Sequence, residues 1–218
     1  MMQMLCKLVR VFEKRFNFLK YIPEYGKLLD CGCGDFASSY KMMEFRKDIE
    51  WHAIDLYKSE KIPKEVIFNI LNLEKELLPF ADETFDGIIL LHVMEHIDNI
   101  DRICSEIKRV LRRGGYVYIE VPSTSTLKAP TSKKFFYMTG NFYDDKTHKQ
   151  VFSLKLLSDI ISNHMDMKVV EIGTAKNILK ILLFPIVFIY SIIKWKAYFM
   201  SSVGDFFGYR LYVVGTKQ

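Results

Sequence analysis

Cysteine is scarce: Cys6, Cys31, Cys33 and Cys104 are the only four in 218 residues. They lack the dense, even spacing of a small secreted disulfide framework, so the chain reads as one carrying reduced thiols in a cytosolic setting. An excess of one charge is also missing. The 31 basic residues are scattered among 26 acidic ones, for a formal net charge of +5, and no basic tract outlines a nucleic-acid groove. At the amino end no unbroken apolar stretch stands, and the pattern of a secretory signal is absent with it. Leu5, Leu8, Val9, Phe12, Phe16 and Leu19 instead recur at helical spacing between lysines and arginines. Such a basic amphipathic helix either touches acidic lipid or packs on its own domain.

Half of the residues are hydrophobic, enough for one sizeable core. We expect one domain over 1–218, with an amphipathic helix at 1–24, a core at 25–175, an apolar insert at 176–208 and a last strand at 209–218. Within the core, "KLLDC", "WHAID", "VIFNI", "FDGIILL" and "YVYIEV" are short apolar runs, each followed by turn or helix signals. Continuous apolar strands are buried on both faces, which predicts a parallel sheet. Ile100, Ile103, Cys104, Ile107 and Leu111 mark one face of a connecting helix, capped by Asp98 or Asn99. Arg112 and Arg113 suit its negative end, Gly114 suits its stop, and the next strand is expected from Tyr116. Strand and helix in alternation make an α/β domain with right-handed crossovers. Near the end, "MKVVEIG" and "YRLYVVG" follow a helix capped by Ser153 and lack a crossover helix between them, as two antiparallel edge strands would.

Between those two strands, Ile178 to Ile193 is mostly apolar, interrupted by Lys180 and Pro185. As a helix this is about 24 Å, short of a hydrocarbon core of roughly 30 Å. One crossing would also strand the last β-strand on the wrong side of a bilayer. The insert is therefore expected to lie in the membrane interface, to line a greasy substrate channel, or to be buried in a homodimer.

"LLDCGCGDFASSY" ends a strand at Asp30 and turns at Gly32 and Gly34. Glycines at such a turn free backbone N–H groups near a helix start and let a ligand approach. With Ala37 the string reads G-x-G-x-x-A, and Asp55 follows at the end of the next strand, where a carboxylate accepts from ribose hydroxyls. Cys31 and Cys33 have no clustered metal partners nearby and read as small filler, so no metal site is expected. Asp30 gives a pyrophosphate nothing; its carboxylate suits a cationic cofactor such as the amino group of a methionine moiety.

At this point the sequence resembles the class I S-adenosylmethionine-dependent methyltransferases of the small-molecule type. "LLDCGCG" looks like their first motif, "AIDL" like the acidic end of their second strand, and "NLEKELLPFADETFDGIILLHVMEH" like the run through the third and fourth strands. "IKRVLRRGGYVYIEVPS" is similar to the helix, turn and fifth strand that follow, and "DKTHKQVFS" to a later His and Phe-Ser stretch. The resemblance implies a doubly wound, mostly parallel, seven-stranded Rossmann-like sheet with an antiparallel terminal strand. It implies S-adenosyl-L-methionine as cofactor, with Gly32 and Gly34 under the methionine part and Asp30 near its amino group. Asp55 would hold the ribose hydroxyls and Leu56 would lie against the adenine. Asn72 and Leu73 would flank the adenine edge, Asn72 standing where many relatives have Asp. The backbone around Leu91 and His92 would close over the methionine end. The chain departs from the family at Phe36 and Ala37, where a third glycine or a small residue is common.

For methyl transfer, positioning supplies much of the catalysis, and a hydroxyl acceptor also needs help losing its proton. His148, on the polar loop "TGNFYDDKTHKQVFS", is the candidate base, with Tyr143, Asp144 and Asp145 beside it; its other reading is a loop tie. Glu95 and His96 read as functional or as a cap that fastens neighbouring loops. Lys133 and Lys134 meet an anionic substrate or solvate a lid. The apolar insert suits a small-molecule, lipid or lipid-linked glycan acceptor, methylated at oxygen, with peripheral membrane contact through 178–200. Two other classes use the same turn: an NAD-dependent oxidoreductase, and a non-catalytic scaffold of methyltransferase fold.

Overall fold

The computed structural model describes residues 13–129, 141–177, 181, 182 and 208–218. The expected helix over 1–24 is thus seen only from Glu13. Lys133, Lys134 and nearly all of the stretch 178–200 lie outside the described residues. Among the described residues, no helix is long and apolar enough to cross a membrane.

Seven strands form one sheet in the order β3-β2-β1-β4-β5-β7-β6. The first five are β1 (Lys27–Cys31), β2 (Glu50–Asp55), β3 (Ile67–Ile70), β4 (Phe85–Leu91) and β5 (Leu111–Pro122), and all their pairings are parallel. β7 (Arg210–Thr216) runs antiparallel between β5 and β6 (Lys168–Thr174), as expected of the two last strands. The apolar runs do alternate, but both faces are covered. Leu29, Ile88, Leu90, Val117 and Ile119 point to one side, where they meet Ile103, Cys104 and Ile107 of α3 (Ile100–Val110) and Leu157 of α4 (Leu154–Asp159). Leu28, Ile89 and Tyr118 point to the other, against Phe16 and Phe18 of α1 (Lys14–Phe18) and Met42 of α2 (Ala37–Phe45). The amphipathic segment, as far as it is described, spends its apolar side on its own domain.

Two local expectations are corrected. α3 ends at Val110, and β5 starts at once at Leu111. Lys108 and Arg109 supply the basic last turn instead of Arg112 and Arg113. Those two arginines stand in the strand, paired with Asp86 at 2.5 Å and Glu83 at 3.6 Å. Gly114, at φ +73°, belongs to the register shift in which Phe85 pairs with Leu111 but Gly87 with Tyr116. Ser153 caps α4 as expected, accepting from the N–H of Leu156.

Candidate active site

The strand order reverses beside β1, and in such sheets ligands bind at the carboxyl ends of the strands where it reverses. There the chain leaves Cys31 through Gly32 at φ +74° and Gly34 at φ +55°. The N–H groups of Gly32 and Cys33 donate to the Ile54 carbonyl at 2.8 and 3.1 Å, tying the turn to β2. A Cβ at Gly32 would stand 2.5 Å from Val93 Cγ2, whereas one at Gly34 would meet nothing within 4 Å. Gly32 therefore serves packing, and Gly34 leaves open space for a ligand. The departure at Phe36 has a physical solution. Its backbone adopts φ +61°, and its ring is buried edge-on against Trp51 at 5.8 Å. A left-handed residue costs about 1–2 kcal/mol, and burying a phenyl ring offsets it by about 1.5–3 kcal/mol.

Asp55, at the end of β2, accepts the N–H of Gly34 on Oδ2 at 2.8 Å and that of Leu56 on Oδ1 at 2.7 Å. Each oxygen keeps acceptor capacity, as a pair of ribose hydroxyls would need. Leu56 stands half exposed beside it. Asn72 and Leu73 follow β3 after one intervening residue, with Leu73 buried. The Asn72 amide oxygen accepts from the N–H of Glu74 at 2.9 Å, which leaves one lone pair for an adenine amine.

Asp30 is buried, and its Oδ2 accepts from Ser39 Oγ at 2.5 Å. Its Oδ1 is buried with no hydrogen-bond partner. Burial pushes the carboxyl up to about 7, against the Ser39 hydrogen bond, with the Asp55 charge adding to the rise and Arg15 opposing it. Buried oxygens are almost always satisfied, so an orphan beside an open glycine turn fits a ligand bearing an ammonium group.

Leu91 ends β4, and His92 follows at φ +60° with its N–H donating to the Glu120 carbonyl at 2.8 Å. Its ring lies between two buried carboxylates, 3.2 Å from Glu95 Oε1 and 3.6 Å from Glu120 Oε1. Desolvation works against its charge, but the two carboxylates outweigh it and push the imidazole up to about 9. Glu120 also receives Arg15 at 2.6 Å, Arg210 at 3.1 Å and the Tyr118 hydroxyl at 2.7 Å. Burial raises its pKa, yet the two guanidinium charges and His92 hold it well below the usual carboxylate range. Sequence reasoning passed over this cluster, although a lone Glu inside "YVYIEV" was its signal: a charge in a buried strand needs partners.

His148 lies on the loop packed against the segment after β4, where the Lys149 N–H donates to the Glu95 carbonyl at 2.8 Å. Its Nδ1 donates to the Phe142 carbonyl at 2.7 Å, and its Nε2 lies 3.9 Å from Asp145 Oδ2. Asp144 completes a capping box with Asn141, Asp145 accepts from Thr147, and Tyr143 is exposed. The two aspartates shape the loop that carries His148. Cys31 and Cys104 are buried, and burial pushes the thiols of Cys31, Cys33 and Cys104 up, to about 12 for Cys104.

A methyltransferase-domain family matches residues 29–119. An uncharacterised protein of Methanocaldococcus jannaschii is 29% identical over 55% of this chain and 48% of its own length. An uncharacterised methyltransferase of Schizosaccharomyces pombe is 30% identical over 45% of this chain and 41% of its own. The chain thus spans about half the length of the curated relatives it matches. An S-adenosylmethionine-dependent methyltransferase from Mesorhizobium loti has the same fold, with a TM-score of 0.64 at 14% identity over 92% of this chain and 96% of that one. The matched segment runs from β1 into β5 and holds the glycine turn, Asp55 and His92, so over these residues the chain is similar to methyltransferase domains, and as a whole it shares the fold of an S-adenosylmethionine-dependent methyltransferase.

Proposed function

We propose that the chain transfers a methyl group from S-adenosyl-L-methionine to an oxygen of a small-molecule, lipid or lipid-linked glycan acceptor at the carboxyl edge of β4 and β5. The observation that carries the cofactor assignment is the orphaned Oδ1 of buried Asp30, on the strand that leads into the turn where Gly34 leaves open space. On this reading Asp30 holds the amino group, Asp55 the ribose hydroxyls, Leu56, Asn72 and Leu73 the adenine, and the backbone of Leu91 and His92 the methionine end. The bound cofactor supplies an electrophilic methyl carbon, and the chain's task is to hold it in line with the acceptor. His148 promotes loss of the acceptor's proton. With Nδ1–H fixed on the Phe142 carbonyl, Nε2 keeps the ring's lone pair.

Calorimetric titration of the purified chain with S-adenosylmethionine, S-adenosylhomocysteine and NAD tests the cofactor. We expect the first two to bind and NAD not to bind. Binding of NAD alone would make the chain an oxidoreductase, and binding of none a scaffold.

The apolar run between Ile178 and Ile193 supports a greasy acceptor and peripheral membrane contact through 178–200. Flotation with anionic liposomes should carry the intact chain upward and leave behind a chain lacking 178–200. If neither form floats, the membrane reading falls while the cofactor reading stands.

A further inference from the structure

Folding brings His148 to two adjacent side chains that lie far from it in the sequence. Glu95 and His96 sit in the 3-10 turn Met94–His96 after β4, and His148 stands 52 residues beyond His96. Each offers one ligand atom, a carboxylate oxygen or a ring nitrogen, and these atoms all lie within 4.8 Å of one another. We infer that Glu95, His96 and His148 form a binding site for a divalent transition-metal ion.

The first support is the carboxylate. Glu95 is fully buried; Oε1 faces His92 at 3.2 Å, while Oε2 is buried and has no hydrogen-bond partner. A buried carboxylate oxygen left open is costly, and a cation satisfies it.

The second support is the pair of tautomers. Thr147 donates its single hydroxyl proton to Asp145 Oδ1 at 2.6 Å. Its oxygen, 2.9 Å from His96 Nδ1, can then only accept, so His96 carries its proton on Nδ1 and a lone pair on Nε2. The Phe142 carbonyl, 2.7 Å from His148 Nδ1, likewise fixes the proton of that ring on Nδ1. In its neutral form each imidazole thus presents Nε2 as a donor atom while Nδ1–H is held by a neighbouring oxygen. Outer hydrogen bonds of this kind orient metal-ligating histidines. Asp145 Oδ2, 3.9 Å from His148 Nε2, adds negative charge at the rim.

Two imidazoles and one carboxylate suit Zn²⁺, Fe²⁺, Co²⁺ or Mn²⁺ better than Ca²⁺ or Mg²⁺, which prefer oxygen donors. Ligand atoms on one such ion stand about 3–3.5 Å apart at bond lengths near 2.1 Å. Shifts on the order of 1 Å close the site. Three protein ligands leave coordination positions for an outside oxygen. The use of those positions rests on the proposed methyl transfer: the ion takes the acceptor's hydroxyl oxygen and lowers its pKa, the proton leaves to solvent, and His148 acts as ligand. Ion binding itself does not depend on that reading.

The test is calorimetric titration of chelator-treated protein with Zn²⁺, Co²⁺ and Mn²⁺, with the visible spectrum of the Co²⁺ form as a second readout. We expect one ion per chain and Co²⁺ bands that change in H148Q. Binding should weaken by more than about tenfold in both E95Q and H148Q, at least the cost of losing an outer hydrogen-bond partner. Thermal melting and S-adenosylhomocysteine affinity report that each variant is folded, and should E95Q fail to fold, H148Q decides alone. No binding at millimolar ion, or equal binding by the wild type and a folded variant, overturns the site. Metal binding without cofactor binding leaves the site standing and sinks the methyl-transfer reading.

Discussion

In the variant Asp30→Asn, S-adenosylhomocysteine should bind about tenfold to a hundredfold more weakly at pH 8 than to the wild type, the value of one hydrogen bond to a charged group. The same variant should be the more stable of the two at that pH. Both effects come from one carboxylate. Asp30 is buried, has only Ser39 as a hydrogen-bond donor, and its pKa is pushed up to about 7 by that burial. In the free chain the native state therefore holds a proton on Asp30 between about pH 4 and 7 that the unfolded chain has released. Stability falls as pH rises through this window and levels off above it. Asparagine removes the loss, so Asp30→Asn should melt higher than the wild type at pH 8 and close to it at pH 4. The gain is at most a few kcal/mol, at about 1.4 kcal/mol for each tenfold change in the acid dissociation constant. Cofactor binding runs the other way. An ammonium group needs the ionised carboxylate, so in the wild type affinity should fall about tenfold for each pH unit below 7. Asp30→Asn should flatten that slope. Calorimetry from pH 5 to 8 together with thermal melts reads both signs. An unchanged affinity and an unchanged slope would place Asp30 outside the cofactor site.

Legibility of the sequence followed the range of the forces. The parallel core was readable because continuous apolar runs such as "FDGIILL" and the helical face from Ile100 to Leu111 are local patterns. So was the antiparallel pair, since no crossover helix stands between Lys168 and Arg210 among the expected elements. The boundary between α3 and β5 was not. Arg112, Arg113 and Gly114 carry helix-end chemistry, but pairing of Leu111 with Phe85 and of Arg112 with Asp86 draws them into the sheet. The residues proposed for the cofactor, from Asp30 to Leu91, could be placed along the chain because each lies at or just beyond the end of a strand. What each one touches was not legible: Ser39 on Asp30 and Glu74 on Asn72 are set by the turns that follow. Least legible were the contacts closed over long stretches of chain, the Glu95, His96 and His148 group and the ion cluster around Glu120. No periodicity records a charge pair separated by 105 residues.

That cluster should dominate stability. Glu120→Ala removes the carboxylate that gathers Arg15, Arg210, Tyr118 and His92 while both guanidiniums remain largely buried, with side chains 13% and 19% exposed. Breaking a buried ion pair on one side costs about 3–5 kcal/mol, because the charges left behind keep their desolvation cost. For a chain of this size the melting temperature should drop by roughly 10 °C. Replacing all three ionic partners by apolar residues, Glu120→Leu with Arg15→Met and Arg210→Met, should recover most of that loss, since the carboxylate and the two guanidiniums that face it are then removed together. The pH dependence is also signed. Because Glu120 is held well below its ordinary value, its contribution is present above the ordinary carboxylate range and is lost only as pH falls through that depressed pKa. Wild type and Glu120→Ala should therefore differ fully at pH 6 and converge only in strong acid. The loss should reach the cofactor as well: Arg15 also donates to Ser38 at 3.2 Å, one residue before the Ser39 that holds Asp30, and the Glu120 carboxylate faces the His92 ring at 3.6 Å. Removing the carboxylate slackens the glycine turn from the side of α1 and the end of β4 from the side of β5. Urea melts of the single and triple variants, each with S-adenosylhomocysteine titrations, separate the two consequences. A Glu120→Ala variant as stable as the wild type would mean that the cluster contributes nothing beyond its own desolvation cost.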